Sequence, residues 1–474
     1  MRARIENHLP DSLPVGRPTT LFIYGHCFDA EHALEVRGLI VDGFRHPPAA
    51  QGMPRADLAH WLARTGEDRS GASLRSGFWG LLPIPAQPSA RTLAIALAVR
   101  LADGRERIEP LAKLEIVEPP PFPATPAADA GTIAICLASY EPNLELFAIQ
   151  IESLRAQSDE RWVCVVSDDR SSPHTLAAMA AVLGSDPRFT LTTSARRRGP
   201  YRNFERALEL APAAADLIAL CDQDDRWHAD KLATLRAAIG DAALAFSDLR
   251  LTDPGGAVLG DTLWTGRRND HANLASLLVA NAVPGASMLL RRDVAERALP
   301  FPDAPGQPFH DHWLALVALA SGEISYVDRP LYDYVQHRAG VVSHLPSTRR
   351  HRRWRWPRSR AQASRRLRSA YFACYMTRAA FAQTLLERCA DTLTPRKRRA
   401  LRWYLGSPSS PAAFAWLAAR PLRRLLGHDE TLGGEFALLR GIAWLKLIAP
   451  RSDASFPDPP EFDQSRLRRW RAGA

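Results

Sequence analysis

The chain has no long uninterrupted apolar segment and no apolar core behind its N-terminal charges. The best candidate for a membrane span, Leu274 to Leu290, is interrupted by Asn281 and Pro284. A transmembrane helix needs about 20 consecutive, mainly apolar residues, and a secretory signal needs an apolar core of its own. We therefore expect neither a membrane span nor a secretory leader.

Cysteine is scarce, and its spacing is wrong for a zinc site. The 474 residues include six cysteines and no CxxC pair. Cys136, Cys164 and Cys221 lie inside apolar, strand-like runs, where a small buried thiol is the expected role. Zinc bound by closely spaced cysteines is thereby excluded, and a reducing, cytoplasmic location is expected.

The composition is that of a globular, basic protein. Hydrophobic residues make up 46%, the formal net charge is +10, and the isoelectric point is about 9.6. This hydrophobic content excludes a disordered chain, and the length predicts roughly two to four domains.

An acidic cluster follows an apolar run in the middle of the chain. Leu217–Cys221 reads as a buried strand, and Asp222, Asp224 and Asp225 come directly after it. Open α/β sheets bind ligands at the carboxyl ends of their strands. Because alternate residues of an extended strand point the same way, Asp222 and Asp224 could share a divalent cation that also binds a diphosphate.

The chain divides into four predicted regions. Residues 1–118 have short alternating runs typical of a small antiparallel β-sandwich-like domain. A proline-rich linker covers residues 119–130, and residues 131–344 alternate strand-like and helix-like segments. Such alternation predicts a Rossmann-like α/β domain with a mostly parallel sheet. Residues 345–474 are basic and mainly helical.

Within residues 131–344, the pattern predicts individual elements. The predicted strands are Ile133–Ala138, Trp162–Ser167, Phe189–Thr192, Leu217–Cys221 and Ala243–Ser247, and the predicted helices include 174–183, Phe204–Leu210 and Lys231–Ile239. Acidic residues also end two further strands, at Asp168-Asp169 and at Asp248. Single aspartates at such places are often turn or cap residues, and Asp248 is interpreted in that way.

An arginine-rich segment opens the C-terminal region. Ten of the twenty residues 349–368 are arginine and none is acidic, with Trp354 and Trp356 among them. Arginine mixed with tryptophan favours contact with an anionic membrane surface, although a solvated surface remains the alternative, and nucleic acid is the less favoured partner. Helices are expected over Ala370–Arg388 and Glu435–Ile448.

An ordered set of motifs resembles the inverting glycosyltransferases of family two, which have the GT-A fold, and within them the bacterial rhamnosyltransferase-like branch. The motifs are Leu137–Tyr140 with Gln150 and Ser153–Gln157, Val165–Asp169, Gly199 with Asn203, Asp222–Asp225 with Trp227 and Lys231, Pro284–Met288, His310–His312, and Tyr334 with His337. The resemblance implies a nucleotide-sugar donor, a glycan or lipid-linked acceptor, and Mg²⁺ or Mn²⁺ as cofactor. It also implies a role in cell-surface polysaccharide synthesis, with peripheral attachment to the inner face of the cytoplasmic membrane.

The resemblance also implies residue roles. Donor binding is expected from Ala138, Ser139, Tyr140, Asp168, Asp169, Asn203 and Asp222. The metal ligands are expected to be Asp224 and His337, with Asp225 in support. Asp311 is the expected base that takes the acceptor proton, and an N-cap role for Asp311 is the alternative.

Two residues depart from the family pattern, and two others have plain interpretations. Glu141 stands where asparagine is usual, and Val335 where arginine is common. Trp227 is interpreted as a packing residue and Lys231 as a solvated residue in the first turn of its helix.

Two other classes of protein remain open: a sugar nucleotidyltransferase, and a non-catalytic protein that binds carbohydrate or polyanions. A nucleotidyltransferase would normally have a loop rich in glycine and basic residues after its first strand. Residues 137–143 have neither feature, so a hexosyl-type glycosyltransferase is the preferred prediction.

Overall fold

The computed structural model describes most of the chain. The described residues are 1–68, 70–118, 128–264, 268–306, 308–337, 367–368, 370–426, 431 and 433–449. Most of the predicted linker, and residues 349–366 of the arginine-rich segment, lie outside this part of the chain.

Residues 1–118 form two facing sheets. Their elements are β1 (Arg2–Ile5), β2 (Ser12–Pro14), β3 (Thr19–Phe28), β4 (Leu34–Val41), β5 (Phe44–His46), β6 (Ala50–Met53), α1 (Ala56–Thr65), a 3-10 turn (Ala72–Arg75), β7 (Gly77–Ile84), β8 (Arg91–Leu101) and β9 (Glu106–Val117). One sheet has the order β1-β3-β7-β6 and the other β2-β9-β8-β4-β5. Alternate apolar residues from both sheets, such as Leu21, Phe78 and Leu97, form one buried cluster.

Two local expectations for this region need correction. In residues 47–76, proline, glycine and charged residues without a sustained period predict a long loop with one helical turn, but the stretch contains β6 and the ten-residue helix α1. The pairing of β2 with β9 is parallel, whereas the other pairs in the two sheets are antiparallel. Helix α1 lies on the surface, and Leu62 is its one buried residue.

The central region is a mixed sheet with helices on both faces. Its elements are β10 (Ile133–Ser139), α2 (Leu144–Arg155), β11 (Trp162–Asp168), α3 (Pro173–Leu183), β12 (Phe189–Thr193), α4 (Pro200–Glu209), β13 (Leu217–Cys221), β14 (Arg226–Trp227), α5 (Lys231–Ile239), β15 (Leu244–Thr252), β16 (Val258–Gly260), α6 (Leu274–Val279), a 3-10 turn (Gly285–Ser287), β17 (Met288–Arg291), α7 (Arg292–Ala298), α8 (His310–Ser321) and β18 (Ile324–Val335). The strand order is β12-β11-β10-β13-β17-β15-β18-β14, with β16 beside β15.

The prediction of a mostly parallel sheet is correct for one half of it. Strands β12, β11, β10 and β13 are parallel. Strand β17 then runs antiparallel to both β13 and β15. The chain enters β17 from the ligand-binding edge, after α6 and the 3-10 turn. A parallel strand would need a crossover connection that returns the chain to the opposite edge, and α6 does not provide one.

The C-terminal region is helical where it is described. A π-helical segment, Tyr371–Met376, continues into α9 (Thr377–Arg388). It is followed by α10 (Pro395–Gly406), α11 (Pro411–Ala419), a 3-10 segment (Arg420–Leu426), α12 (Gly434–Ala443) and a second π-helical segment (Trp444–Ile448). None of the helices in the described residues combines the length and the apolar character needed to cross a bilayer.

The C-terminal helices join the N-terminal sheets to the central sheet. The indole N–H of Trp79, on β7, donates to the hydroxyl of Tyr371 at 3.0 Å, and its ring packs edge-on against Tyr371 and Tyr375. The guanidinium of Arg388 donates to the carbonyl oxygens of Pro18 and Ala298, each at 2.7 Å. The three parts of the chain therefore share one buried interface.

This interface predicts a large effect for Trp79→Ala. Because Trp79 is fully buried, its removal leaves a cavity and an unpaired hydroxyl. We expect the free energy of unfolding to fall by about 3–5 kcal/mol, measured by urea denaturation followed by circular dichroism.

The control is Trp61→Ala, because Trp61 is 56% exposed and its loss is expected to change the free energy of unfolding by about 0.5 kcal/mol or less. Equal urea midpoints for Trp79→Ala and the unsubstituted protein would show that this interface does not stabilise the fold.

Candidate functional site

The acidic loop after β13 crosses the carboxyl edge of the sheet. Its Gln223 side chain accepts the backbone N–H of Tyr140, at the end of β10, at 2.8 Å. Beyond the loop, Arg226 and Trp227 pair with Asp333 and Tyr332 of β18. The loop is therefore fastened to both halves of the sheet, and its aspartates lie between them.

Three carboxyl groups converge at this edge. Burial, together with the neighbouring charges of Asp224 and Asp311, raises the pKa of Asp222 to about 7, while the charge of Lys231 opposes this rise. Burial also raises the pKa of Asp311, to about 6. Since Asp224 follows β13 and Asp311 lies on α8, the tertiary fold brings together acids that are far apart in the sequence.

Asp224 is paired with His337. The imidazole Nε2 lies 2.7 Å from Asp224 Oδ2, and both side chains are partly exposed. The hydrogen bond to Asp224 raises the pKa of His337 above its ordinary value. This pair is the most accessible part of the acidic cluster and faces the site from two different elements.

Asp225 is the buried support of the loop. Its Oδ1 accepts the backbone N–H of Val335 at 3.3 Å, which fastens the end of β18. Its Oδ2 is buried and has no hydrogen-bond partner, and burial raises its pKa well above the ordinary value. Asp225 bonds to β18 and not to α5, whose N-cap is Asp230, and its support of Asp224 stays a prediction.

Lys231 was expected to be solvated, and that interpretation is wrong. Its side chain is fully buried and its Nζ donates to the carbonyl of Ala286. The same Nζ lies 3.2 Å from the ring centroid of Trp227 and 4.8 Å from that of Tyr332.

Burial lowers the pKa of Lys231 to about 7, while the charges of Asp225 and Asp222 raise it. Lys231 thus places an amine that is only partly protonated near pH 7 beneath the acidic loop. Its position four residues after Trp227, next to an acidic strand end, was the available sequence signal.

Asp311 lies against the 3-10 turn Gly285–Ser287. Hydrogen bonds from the backbone N–H groups of His312 and Gly285, and from the side chain of Asn281, favour its charged form and oppose the effect of burial. A Cβ on Gly285 would lie 2.8 Å from His310 Nε2, so only glycine fits this approach. The N-cap position of α8 is Phe309, so the alternative of Asp311 as N-cap is wrong.

The predicted donor residues Ala138, Ser139 and Tyr140 lie at the carboxyl end of β10 and just beyond it. The Ser139 hydroxyl is buried without a hydrogen-bond partner. The guanidinium carbon of Arg197 lies 3.7 Å from the ring centroid of Tyr140. An exposed arginine therefore covers the tyrosine, a neighbour that sequence analysis did not identify.

Asp168 is held by its own surroundings. It is fully buried and accepts hydrogen bonds from Ser171 and Thr193, the latter at 2.7 Å. Its carboxylate thereby closes the turn after β11.

Asp169 accepts the backbone N–H groups of Arg198 and Gly199 at 2.6 and 2.8 Å, and burial raises its pKa. Asn203 donates to the carbonyls of Ser139 and Ser167. These side chains shape the edge of the sheet next to Tyr140.

Asp248 was expected to be a turn or cap residue at a strand end, but β15 continues through it to Thr252. Its carboxylate accepts hydrogen bonds from Thr262 Oγ1 and from the backbone N–H of Leu263. It fastens the segment beyond β16 over the sheet and lies outside the acidic cluster.

A family model matches the part of the chain that contains most of this edge. Residues 141–298 match the model described as Glycosyl transferase family 2, which is about a third of the chain. This match supports a glycosyltransferase of family 2 with a GT-A-type α/β fold. No curated protein matches the sequence.

Solved structures align over a larger part of the chain but only loosely. Residues 1–349 of S. aureus TarS align at 13% identity, over 66% of this chain and 90% of that one, with a TM-score of 0.38. The same TarS segment has been solved with UDP-GlcNAc. The mannosyltransferase PcManGT from Pyrobaculum calidifontis, in complex with GDP-Man and Mn²⁺, aligns at 18% identity, over 69% of this chain and 88% of that one, with a TM-score of 0.35. Because these TM-scores are low, neither likeness supports a residue role.

The buried lysine gives a stability prediction. Lys231→Met removes the donor to the Ala286 carbonyl and the amine whose positive charge offsets Asp222 and Asp225. We expect the free energy of unfolding to fall by about 1–3 kcal/mol, the cost of an unsatisfied buried acceptor, measured by urea denaturation.

Lys113→Met is the matched control, because Lys113 is exposed on β9 and its loss should change the free energy of unfolding by about 0.5 kcal/mol or less. A Lys231→Met protein as stable as the control would show that the buried amine is dispensable for the fold.

Proposed function

We propose that this protein is an inverting, metal-dependent glycosyltransferase that moves a hexosyl group from a nucleotide-sugar donor to an acceptor hydroxyl. The observation that carries the proposal is the convergence of Asp222, Asp224 and Asp311, with His337 beside them, at one edge of the sheet. The family match over residues 141–298 supports the same reaction class.

The Asp224–His337 pair suits one divalent cation bound together with a substrate. Among the described residues, no three His, Cys, Asp or Glu side chains are grouped to hold a metal by themselves. Mg²⁺ is commonly held by one or two protein carboxylates plus substrate phosphates, and carboxylate ligands also suit Mn²⁺. Asp224 and His337 would hold the ion, which would stabilise the negative charge of the departing diphosphate.

The donor site would occupy the edge formed by the ends of β10, β11 and β13. Ala138, Ser139 and Tyr140 would line the base, and Asp222 would face the ribose or the water around the ion. Asp168, Asp169 and Asn203 bond to the protein itself, so we propose that they act by fixing the loops around the donor.

Asp311 would act as the general base. It would take the proton of the acceptor hydroxyl while that oxygen forms a bond to the anomeric carbon. The bond from this carbon to the phosphate oxygen would break on the opposite face, and the nucleoside diphosphate would leave with the electron pair. Its raised pKa, about 6, makes Asp311 a stronger base than an ordinary aspartate. Because this pKa still lies below 7, Asp311 is mainly ionised at pH 7.

The proposals for acceptor, pathway, donor preference and location follow from the resemblance to the glycosyltransferases of family two. We propose a glycan or lipid-linked acceptor, a role in cell-surface polysaccharide synthesis and a rhamnosyltransferase-like donor preference. We also propose a cytoplasmic enzyme, peripheral on the membrane, with residues 131–344 as the catalytic domain between an accessory N-terminal domain and a basic C-terminal region.

Donor hydrolysis, which is transfer to water, tests the proposal directly. We expect nucleoside diphosphate release from a panel of nucleotide sugars only with Mg²⁺ or Mn²⁺. Asp311→Asn should lower this rate at least about 100-fold, the scale of general-base catalysis. It should leave the thermal shift caused by nucleoside diphosphate with Mn²⁺ nearly unchanged.

In the same assay Asp224→Ala should reduce both the rate and the thermal shift, because it removes a metal ligand. Asp241→Ala is the matched control, since Asp241 is exposed between α5 and β15, and it should behave as the unsubstituted protein. Release that is independent of metal, or full activity in Asp311→Asn, would contradict the proposal.

The pH dependence follows from the pKa of Asp311. A base works only when deprotonated, so kcat/KM for donor hydrolysis should rise with pH and level off above a pKa of about 6. The groups that face Asp311 include Asp222, Tyr334, Asn281, and the backbone N–H groups of Gly285 and His312.

Asn281→Ala removes one hydrogen bond to the charged form and should move the acidic limb to higher pH. An acidic limb near the ordinary aspartate pKa, or one that Asn281→Ala does not move, would exclude Asp311 as the titrating base.

A further inference from the structure

The C-terminal helices present an exposed surface that the proposed chemistry does not use. Helix α11 has no charged residue, yet one of its faces is exposed. The exposed residues, spaced three and four apart, are Pro411, Ala412, Ala415, Ala418 and Ala419. A helix that is apolar on all sides is normally buried in a core or in a membrane, so this exposed face needs a partner.

Larger apolar side chains extend the exposed face. Leu422, directly after α11, is 61% exposed, and Trp403 of the preceding helix α10 is 38% exposed. The Trp403 ring packs edge-on against Trp416 of α11, with centroids 5.6 Å apart. The two helices are therefore joined by an indole pair, and Leu422 and Trp403 add apolar area to the alanine face.

Basic residues are concentrated around this face, and three of them, Lys397, Arg420 and Arg423, are paired with Glu323, Glu435 and Asp270. Residues 392–426 contain eight arginines and lysines and no acidic residue. Arg396, Arg399 and Trp403 share one side of α10 through their three- and four-residue spacing, and all three are exposed. In the described structure, no carboxylate forms an ion pair with Arg396 or Arg399.

We infer that α10, α11 and Leu422 form a docking surface for an anionic membrane. The uncharged face of α11, with Leu422, would enter the boundary between headgroups and acyl chains. Arg396 and Arg399 would meet lipid phosphates, and Trp403 would lie at the headgroup level, where indole rings concentrate. The inference goes beyond the glycosyl transfer proposed above and does not require a donor or an acceptor.

Charge and polarity favour lipid over other partners. A nucleic acid would leave the alanine face and Leu422 without a suitable contact, since its binding is dominated by phosphate charge. A second copy related by a twofold axis would place the same arginines against each other, and this repulsion disfavours a dimer. An anionic bilayer complements both the charge and the apolar face.

Flotation of the full chain with lipid vesicles tests this inference. Binding is expected to vesicles of phosphatidylcholine with phosphatidylglycerol, not to phosphatidylcholine alone, and to weaken as salt rises. Arg396→Gln and Arg399→Gln should each lower partitioning about fivefold, and Leu422→Glu should lower it about tenfold or more.

Matched controls test whether vesicle binding depends on this surface or on any exposed arginine or apolar residue. Ile108→Glu, on β9, changes a residue that is also 61% exposed. Arg4→Gln and Arg64→Gln remove exposed arginines from the N-terminal region. All controls should float as the unsubstituted chain does, and each variant should keep its melting temperature and its rate of donor hydrolysis, which makes this test independent of the proposed reaction.

Several results would overturn the inference. One is absence of binding to anionic vesicles, and another is loss of binding only when the arginines of residues 349–366 are replaced. A dimer in light scattering that Leu422→Glu dissociates would assign the face to a second copy. Binding of polyuridylate that competes with vesicles and is unchanged by Leu422→Glu would assign the basic surface to nucleic acid.

Discussion

The structure of the site depends on the placement of several carboxyl groups at one edge of a sheet. The charges of Asp222 and Asp224 raise the pKa of Asp225, and the charges of Asp224 and Asp311 raise that of Asp222. Burial of uncompensated charge is costly, so the arrangement needs a cation. Lys231, when protonated, supplies one from below, held by the Ala286 carbonyl and by the ring of Trp227. A bound metal would supply another from the solvent side, where Asp224 and His337 are accessible.

Lys231 also links the two halves of the site. Ala286, its hydrogen-bond acceptor, belongs to the 3-10 turn whose Gly285 donates to Asp311. The acidic loop follows β13, whereas this turn precedes β17, the strand that reverses the direction of the sheet. The position of Asp311 relative to Asp224 is thus set by a short chain of contacts that runs through a buried amine. The same reversal of β17 makes the sheet mixed and brings the N-terminal end of α8 to the ligand-binding edge.

The parallel half of the sheet was predictable because its strands are buried on both faces. Continuous apolar runs then give strong signals, and Leu217–Cys221 and Lys231–Ile239 have the predicted bounds. Strands β17 and β18 were not predicted, since β17 is short and lies within a longer apolar stretch, and since β18 contains charged residues and a proline. In the site, the burial of Lys231 was likewise not predictable from its neighbours in the sequence. A lysine in the first turn of a helix reads as solvated, and only the rings of Trp227 and Tyr332 show that it is buried.

The sequence by itself determined the acidic strand end, the alternation of strands and helices, and the basic character of the C-terminal region. These features are local, because each depends on residues that are neighbours in the chain. Only the tertiary structure decided that Asp311 and His337 meet Asp222 and Asp224, and that Lys231 lies beneath them. It also decided that the C-terminal helices pack on β7 through Trp79. These relations depend on contacts between residues far apart in the sequence, which periodicity and composition do not encode.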